Sequence, residues 1–199
     1  MSALLAAGDP RLARREDLGA VRELLLAFEP RDEHQAGERA RMLVFAAEHP
    51  DALLRTCLAG HFTASGLVLD ARGEHALLTH HRKLGRWLQL GGHADGDGNL
   101  AAVALREATE ESGIAGLRVD PRPVDLDVHA IPARGAEPEH LHLDLRFQVH
   151  APPGAREVAS DESHALAWFA PGGLSGLELD DSVLRLFRLA FGAGRAGAR

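Results

Sequence analysis

A chain of 199 residues suits one domain with a sizeable core, and its 45% hydrophobic and 26% charged residues are ordinary for a globular protein. Its formal net charge of −7 excludes a broad basic surface for nucleic acid. The single cysteine, Cys57, excludes an internal disulfide and fits a reducing compartment. No apolar run has the length of a membrane span, and the start lacks the basic flank of a signal peptide. We therefore expect a cytoplasmic protein without membrane or nucleic-acid partners.

The first 55 residues are predicted to form a helical extension that precedes a main domain at residues 56–199. Apolar residues recur there at helical spacing, namely Leu18, Val21, Leu25 and Phe28. Pro30 ends this run, and a second helix is predicted over residues 33–48. The extension packs either on the main domain or on a second subunit, so a homodimer stays open.

From residue 61 onward, the pattern changes to alternating strands with two further helices. The predicted strands cover residues 62–69, 75–81, 124–130, 141–150 and 165–169, and the helices cover 100–112 and 182–191. A glycine-rich loop is predicted at Gly91-Gly92, ahead of the first of these helices. Asn99 or Asp97 can cap that helix, and Asp181 can cap the last one.

One face of the predicted helix at 100–112 is acidic. At about 100° per residue, four charged side chains fall within a sector of roughly 140°, namely Arg106, Glu107, Glu110 and Glu111. Arg106 lies one turn before Glu110 and can orient its carboxylate. Three neighbouring carboxylates repel one another unless a cation lies among them, and hard divalent cations prefer oxygen ligands. On the helix alone, a solvated acidic face is the alternative.

The stretch around this helix resembles the Nudix box, Gly-x5-Glu-x7-Arg-Glu-aliphatic-x-Glu-Glu-x-Gly-aliphatic. The matching residues are Gly92, Arg106, Glu107, Glu110, Glu111, Gly113 and Ile114, with Ala108 at the first aliphatic place. The resemblance implies an α/β fold, the Nudix-type α/β/α sandwich with a central mixed sheet, preceded here by the N-terminal helices. Gly98 stands where the box has its first glutamate, and Asp95 and Asp97 can supply the missing charge.

This resemblance implies a diphosphate hydrolase that uses Mg²⁺ or Mn²⁺ on a small, nucleotide-like substrate. It makes Glu107 and Glu111 the principal metal ligands, with Glu110 ligating directly or through water and the carbonyl of Gly91 completing the site. Arg106 would be the orienting residue. The general base varies in the family, and Glu162, in a later loop, is the candidate in this chain.

Histidines are concentrated near the ends of two predicted strands. If these strands pair, His129, His140 and His142 gather at one end, on the polar face that also carries Arg146. Such a face forms a substrate pocket, a solvated surface or a site for a softer metal such as Zn²⁺. We predict substrate contacts by His129, His142 and Arg146.

Two further substrate contacts are predicted, from His93 after the double glycine and from Lys83 in a basic run. The alternative for His93 is a loop histidine whose hydrogen bonds are satisfied within the protein, and the alternative for Lys83 is a solvated turn. Gly98 also leaves open a catalytically weak module that senses a nucleotide or another ligand. An isomerase similar to the isopentenyl diphosphate isomerases is ranked last, because Cys57 lies far from the box.

Overall fold

A computed structural model of the chain describes residues 3–135, 137–158 and 163–192. Its strands are β1 (Leu5–Ala6), β2 (Gly60–Leu69), β3 (Ala76–His81), β4 (Trp87–Leu88), β5 (Leu90–His93), β6 (Arg118–Val119), β7 (Asp125–Ile131), β8 (His140–His150) and β9 (Ser163–Phe169). The helices are α1 (Leu18–Ala27), α2 (Glu33–Glu48), α3 (Leu100–Ser112) and α4 (Asp181–Phe191), with a short 3₁₀ helix at Pro10–Leu12.

The described strands form one mixed sheet, with the hydrogen-bonded path β1-β6-β8-β2-β3-β4. Beside this path, β5 pairs with β2, β7 with β8 and β9 with β3. The centre is the parallel pair of β2 and β8, in register from Gly60 opposite Leu141 to Leu69 opposite His150. Every residue of β2 is buried, as expected for a central strand with both faces covered. The predicted mixed sheet is therefore confirmed.

Helices cover both faces of this sheet. On one face, α1, α2 and α3 share a core with the strands, in which Phe62, Leu145 and Phe147 are fully buried. On the other face, Leu186 of α4 packs in a second cluster with Leu67 of β2. Full burial of each such side chain contributes about 1.5–3 kcal/mol. The α/β/α sandwich predicted from the sequence is confirmed.

Helix α3 lies close to β2 because both present small residues. Ala104 and Ala108 of the helix are fully buried. A Cβ atom at Gly66 of β2 would lie 3.5 Å from the Ala108 Cβ and 2.8 Å from a methyl group of Val149. The absence of a side chain at Gly66 therefore lets the helix and the sheet approach one another.

The ends of the helices follow the capping residues, with one correction. The Asn99 side chain accepts a hydrogen bond from the N–H of Ala102 at the start of α3, and Gly113 ends the helix in the left-handed conformation with φ of 65°. The predicted cap of α4 is wrong: Asp180 is the N-cap, and Asp181 is already the first helical residue. The side chain of Asp180 makes no capping hydrogen bond, so the preference for a capping residue does not determine where this helix begins.

The N-terminal helices pack on the main body of the chain. The buried amide of Gln35 in α2 donates to the carbonyl of Val124 and to the carboxylate of Asp125. The carboxylate of Glu38, also in α2, accepts from the N–H of Val128 at 2.6 Å. Helix α2 therefore satisfies polar groups along β7 and covers that edge of the sheet.

Two local expectations are wrong. The start of the chain is not wholly helical, because β1 pairs with β6. Gly91 and Gly92 do not form a loop but lie in β5, where Gly91 is opposite Ser65 of β2. A Cβ atom at Gly91 would lie 2.5 Å from the Ser65 Cβ, so glycine permits a close strand approach here. Among the described helices, none combines the length and apolar character needed to cross a membrane.

Candidate active site

The carboxylate of Glu107 lies against the backbone of β5. Arg106 Nη2 donates to Glu107 Oε1 at 2.7 Å and to the carbonyl of His93 at 3.2 Å. A Cβ atom at Gly92 would collide with the Glu107 carboxylate, so a side chain at this position would displace that carboxylate from β5. Arg106 therefore orients Glu107, and the expectation that it orients Glu110 is wrong. The His93 carbonyl draws the guanidinium toward β5.

Glu111 also reaches β5, whereas Glu110 faces another surface. The N–H of Gly91 donates to Glu111 Oε2 at 3.3 Å. Glu110 is exposed and lines a groove together with Ala7 and Leu12 from the N-terminal segment. The structure thus brings Glu107 and Glu111 to the double glycine, whereas Glu110 is exposed beside them, near enough for its charge to raise the pKa of Glu107.

The donor groups at the double glycine suit a hard divalent cation. Burial raises the pKa of Glu107, and the charge of Glu110 adds to this, while Arg106 opposes it. A nearby cation would favour the charged carboxylate. Carboxylate and backbone oxygens are the ligands that Mg²⁺ and Mn²⁺ prefer. Glu107 and Glu111 therefore fit the metal implied by the sequence.

Gly98 occupies the place of the missing glutamate, and the N-terminal segment leaves no room there for a side chain. The Gly98 N–H donates to the carbonyl of Arg15 at 2.5 Å. A Cβ atom at Gly98 would collide with the carbonyl oxygen of Asp17. The departure from the box is therefore explained by the chain segment that packs over it.

The two aspartates beside Gly98 have partners of their own. The Asp97 carboxylate accepts from the N–H groups of Arg15 and Asn99, at 3.1 and 2.9 Å. Asp95 forms an ion pair with Arg55 at 2.7 Å. Asp95 still contributes to the raised pKa of the nearby Glu107. Asp97 supports the backbone, and Asp95 is the one that adds negative charge near the carboxylate site.

We expect Gly98→Ala to destabilise the chain by about 1–3 kcal/mol, because the added Cβ must displace the backbone of Asp17. Gly37→Ala is the matched control, since a Cβ atom there meets nothing within 4 Å. Because Gly37 is an exposed position inside helix α2, that control should gain up to about 1 kcal/mol. Chemical unfolding of both variants checks the prediction. A Gly98→Ala protein as stable as the parent would contradict the packing described over Gly98.

A cluster of five histidines, hereafter the histidine cluster, gathers at one end of β2, β5, β7 and β8. The His61 ring lies 5.0 Å from the rings of His93 and His140 and 4.9 Å from that of His142, between centroids. His129 lies opposite His142 in the sheet, with 5.6 Å between ring centroids. The predicted gathering of His129, His140 and His142 is confirmed.

The histidine cluster reaches from the interior to the surface. His61 is 2% exposed and His140 is 6% exposed, so a solvated face is the wrong interpretation for these two, whereas His129 is exposed. Burial, together with neighbouring charged groups, lowers the pKa of His142 to about 2 and that of His93 to about 4. These two imidazoles are therefore uncharged at neutral pH.

Arg146 lies in a buried network of ion pairs. Its side chain is 2% exposed, and its Nε and Nη2 atoms lie 3.0 Å from Asp144 and 2.9 Å from Asp127. Arg185 of α4 completes the network through Asp125, at 2.8 Å. The guanidinium of Arg146 thus holds β7, β8 and α4 together and does not face the surface.

The other predicted site residues lie apart from these groups or outside the described residues. Lys83 is exposed in the turn between β3 and β4, where its N–H donates to His81 Nδ1 at 3.2 Å. Within the basic run, Arg86 pairs with Asp180 at 3.1 Å. Glu162 lies outside the described residues. Among the described contacts, none joins Lys83 to the carboxylates of α3.

The sequence interpretation missed His61 as a member of the histidine cluster. A polar alternation at His61, Thr63 and Ser65 could have revealed it, since these side chains share one face of β2. The Arg55–Asp95 ion pair was also missed. It joins residues 40 positions apart, and spacing alone gives no indication of such a contact.

Comparisons with known proteins agree on the fold. The model of the NUDIX domain family matches residues 60–187. A NUDIX-family hydrolase from Clostridium perfringens is 21% identical, with a TM-score of 0.50, and the match covers 65% of this chain and 95% of that one. A MutT NUDIX hydrolase from Burkholderia pseudomallei is 22% identical, with a TM-score of 0.51, and the match covers 64% of this chain and 95% of that one. A C. elegans Ap4A hydrolase is 16% identical, with a TM-score of 0.53, and the match covers 64% of this chain and 93% of that one. No curated protein matches the chain.

Proposed function

Because the chain belongs to the NUDIX domain family, whose members include diphosphate hydrolases, we propose that it is a metal-dependent hydrolase. It would cleave a diphosphate linkage in a substrate of the nucleoside diphosphate-X type. The observation that supports this most is the approach of Glu107 and Glu111 to the double glycine of β5. Both carboxylates and both glycines lie within the residues that the family model matches.

The site residues divide into ligands and a positioning residue. Glu107 and Glu111 would hold Mg²⁺ or Mn²⁺, with the carbonyl of Gly91 and a water bound by Glu110 as further ligands. Such a metal supplies charge neutralisation at the phosphates and acidifies water. Arg106 positions Glu107 through its 2.7 Å contact, and so keeps that carboxylate over β5.

A small nucleotide-like molecule is the proposed substrate class. One relative in fold is named as an Ap4A hydrolase and another, from E. coli, as a dihydroneopterin triphosphate pyrophosphohydrolase. His93, beside the double glycine, is the proposed substrate contact nearest to the carboxylates. Contacts by His129, His142 and Lys83, and a role for Glu162 as general base, stay predictions. In this proposal Arg146 stabilises the fold and does not contact the substrate, since it is buried among aspartates.

The proposal is tested with the purified, metal-stripped chain and a panel of nucleoside diphosphate derivatives and triphosphates. We expect release of a nucleoside monophosphate only after Mg²⁺ or Mn²⁺ is restored, with one oxygen from labelled water in the products. A chelator should abolish the reaction. Metal-independent turnover would contradict the proposed mechanism.

The alternative is a catalytically weak module that binds a nucleotide or another ligand. The observation that favours it is Gly98, whose place the backbone of Asp17 closes to any side chain. Tight binding of a panel member without product at any metal concentration would support this alternative and contradict the hydrolase. The same screen therefore separates the two functions.

A further inference from the structure

Three residues of the histidine cluster surround one point with ring nitrogens. His61, His140 and His142 each offer a nitrogen, and these nitrogens all lie within 4.8 Å of one another. The parallel pairing of β2 with β8 produces this arrangement, because His61 lies opposite His142 and His140 precedes it on the same face. The three side chains are thus presented by paired strands at the centre of the sheet, which is a rigid support.

Two of the three histidines bury ring nitrogens that have no hydrogen-bond partner. Neither Nδ1 nor Nε2 of His61 makes a hydrogen bond of good geometry, although the backbone of Cys57 lies near enough to act on the ring, and His61 is only 2% exposed. Nε2 of His142 is buried without a partner as well. Native proteins pair nearly all of their buried polar atoms, so a group of unpaired nitrogens facing one another points to a ligand.

One of the three rings, that of His140, has the surroundings of a metal-binding histidine. His140 Nδ1 lies 2.9 Å from the carbonyl oxygen of Pro138 and donates to it, which leaves the lone pair on Nε2. Histidines that bind metals usually donate their second ring N–H to a carbonyl or a carboxylate in this way. Beside His142, the ring of His129 is held by Asp127 at 2.8 Å. The contact of His140 with the Pro138 carbonyl therefore favours a metal site.

We propose that His61, His140 and His142 bind a divalent transition metal, with Zn²⁺ the best fit. Three imidazole nitrogens suit Zn²⁺ and its neighbours, whereas Mg²⁺ prefers oxygen ligands. Three histidines leave one position open in a tetrahedral zinc site. The ring of His93 lies beside these ligands, 5.0 Å from that of His61 and 5.1 Å from that of His142 between centroids.

This metal site is separate from the carboxylate site on α3. Gly92 of β5 faces the Glu107 carboxylate, whereas the next side chain, His93, faces the histidine cluster. Consecutive residues of a strand point to opposite faces, so β5 lies between the two sites. The site does not rest on the proposed hydrolase activity and can be tested without a substrate.

The test uses the purified full chain, stripped of metal with a chelator. Co²⁺ added to the chain should give the visible absorption of a tetrahedral complex, and Zn²⁺ should displace it at one ion per chain. His61→Asn and His142→Asn should weaken Zn²⁺ binding by about 100-fold or more. His75→Asn is the matched control, a histidine paired with Asp70 away from the cluster, and it should bind like the parent.

A second variant separates the two metal sites, since Glu107→Gln should leave Zn²⁺ binding unchanged. Loss of binding in that variant, or equal binding in the parent and His61→Asn, would overturn the proposal. Should the histidine variants fail to fold, X-ray absorption of the zinc-loaded parent decides. Imidazole nitrogens at about 2.0–2.1 Å support the site, and a shell without imidazole scattering contradicts it.

Discussion

Arg146→Met is expected to lower the free energy of unfolding by about 3–5 kcal/mol, the usual result of removing one partner from a buried ion network. Asp127 and Asp144 would lose contacts of 2.9 and 3.0 Å. Methionine has a similar length and keeps the site filled, so the loss reports on charge more than on volume. Asp127 would keep a contact with Arg185 at 3.2 Å, whereas the other described partners of Asp144 are the hydroxyls of Thr63 and Ser65, which carry no charge.

Thermal and chemical unfolding measure this effect, and the melting temperature should fall by about 10 °C. Arg122→Met is the matched control, because Arg122 pairs with Asp120 at 2.9 Å but its side chain is 67% exposed. An exposed pair of this kind contributes little, so the control should unfold like the parent. Equal stabilities of the Arg146 and Arg122 variants would show that water reaches the aspartates of the network.

Glu107→Gln and Glu111→Gln are each expected to reduce kcat by about 100- to 1000-fold, typical of the loss of one electrostatic group in an active site. Each substitution removes a charge that lies against the double glycine of β5. Glu110→Gln should reduce kcat by only about tenfold, or about 1.4 kcal/mol, because its carboxylate is exposed and borders the groove beside the N-terminal segment. The expected order of effects follows from geometry, since all three substitutions are chemically identical.

Steady-state kinetics with a substrate found in the screen, over a range of Mg²⁺ concentrations, measures the three losses. Far-UV circular dichroism of each variant controls for folding. Glu110→Gln itself serves as the internal control, since it removes the same charge from the same helix. A loss at Glu110 as large as that at Glu111 would mean that the carboxylate of Glu110 turns toward β5 when the metal binds.

The sequence was most informative where local patterns determine local structure. Helix α3 has the predicted bounds, because its small apolar face, the cap at Asn99 and the terminal Gly113 all act within the segment itself. The spacing of the box placed Glu107 and Glu111 on one helix face, and this too is a local property. The N-terminal helix α2 was predicted with the same success, from its periodicity and the following proline at position 50.

Contacts between distant segments could not be predicted in the same way. Alternation in β8 separates two faces but cannot tell whether the polar face meets water or another helix, and α4 in fact covers Arg146. The partner of Arg106 was misjudged for a related reason. Helical spacing favoured Glu110, whereas the carbonyl of His93, from a strand, directs the guanidinium toward Glu107.

Gly98 illustrates how a departure from a family pattern can have a cause outside the motif. Within the box, its lack of a carboxylate reads as a loss of function. In the structure, the backbone of Arg15 and Asp17 packs directly against this glycine, and both residues belong to a segment that precedes the matched residues. Of the two placements predicted for the N-terminal extension, the described residues show the one on the main domain, since Val21, Leu25 and Met42 lie in the core that α3 shares.

The parallel pairing of β2 with β8 has a consequence for how the chain reaches its native state. Thr63 of β2 contacts Asp144 of β8, and 81 positions separate them in the sequence. On a ribosome, the central strand emerges long before the strand that must lie beside it. Closing so long a loop carries an entropic cost before any contact offsets it, which slows folding. Until β8 is synthesised, the apolar residues of β2 lack the strand that covers them in the native sheet, and such exposed apolar segments favour aggregation.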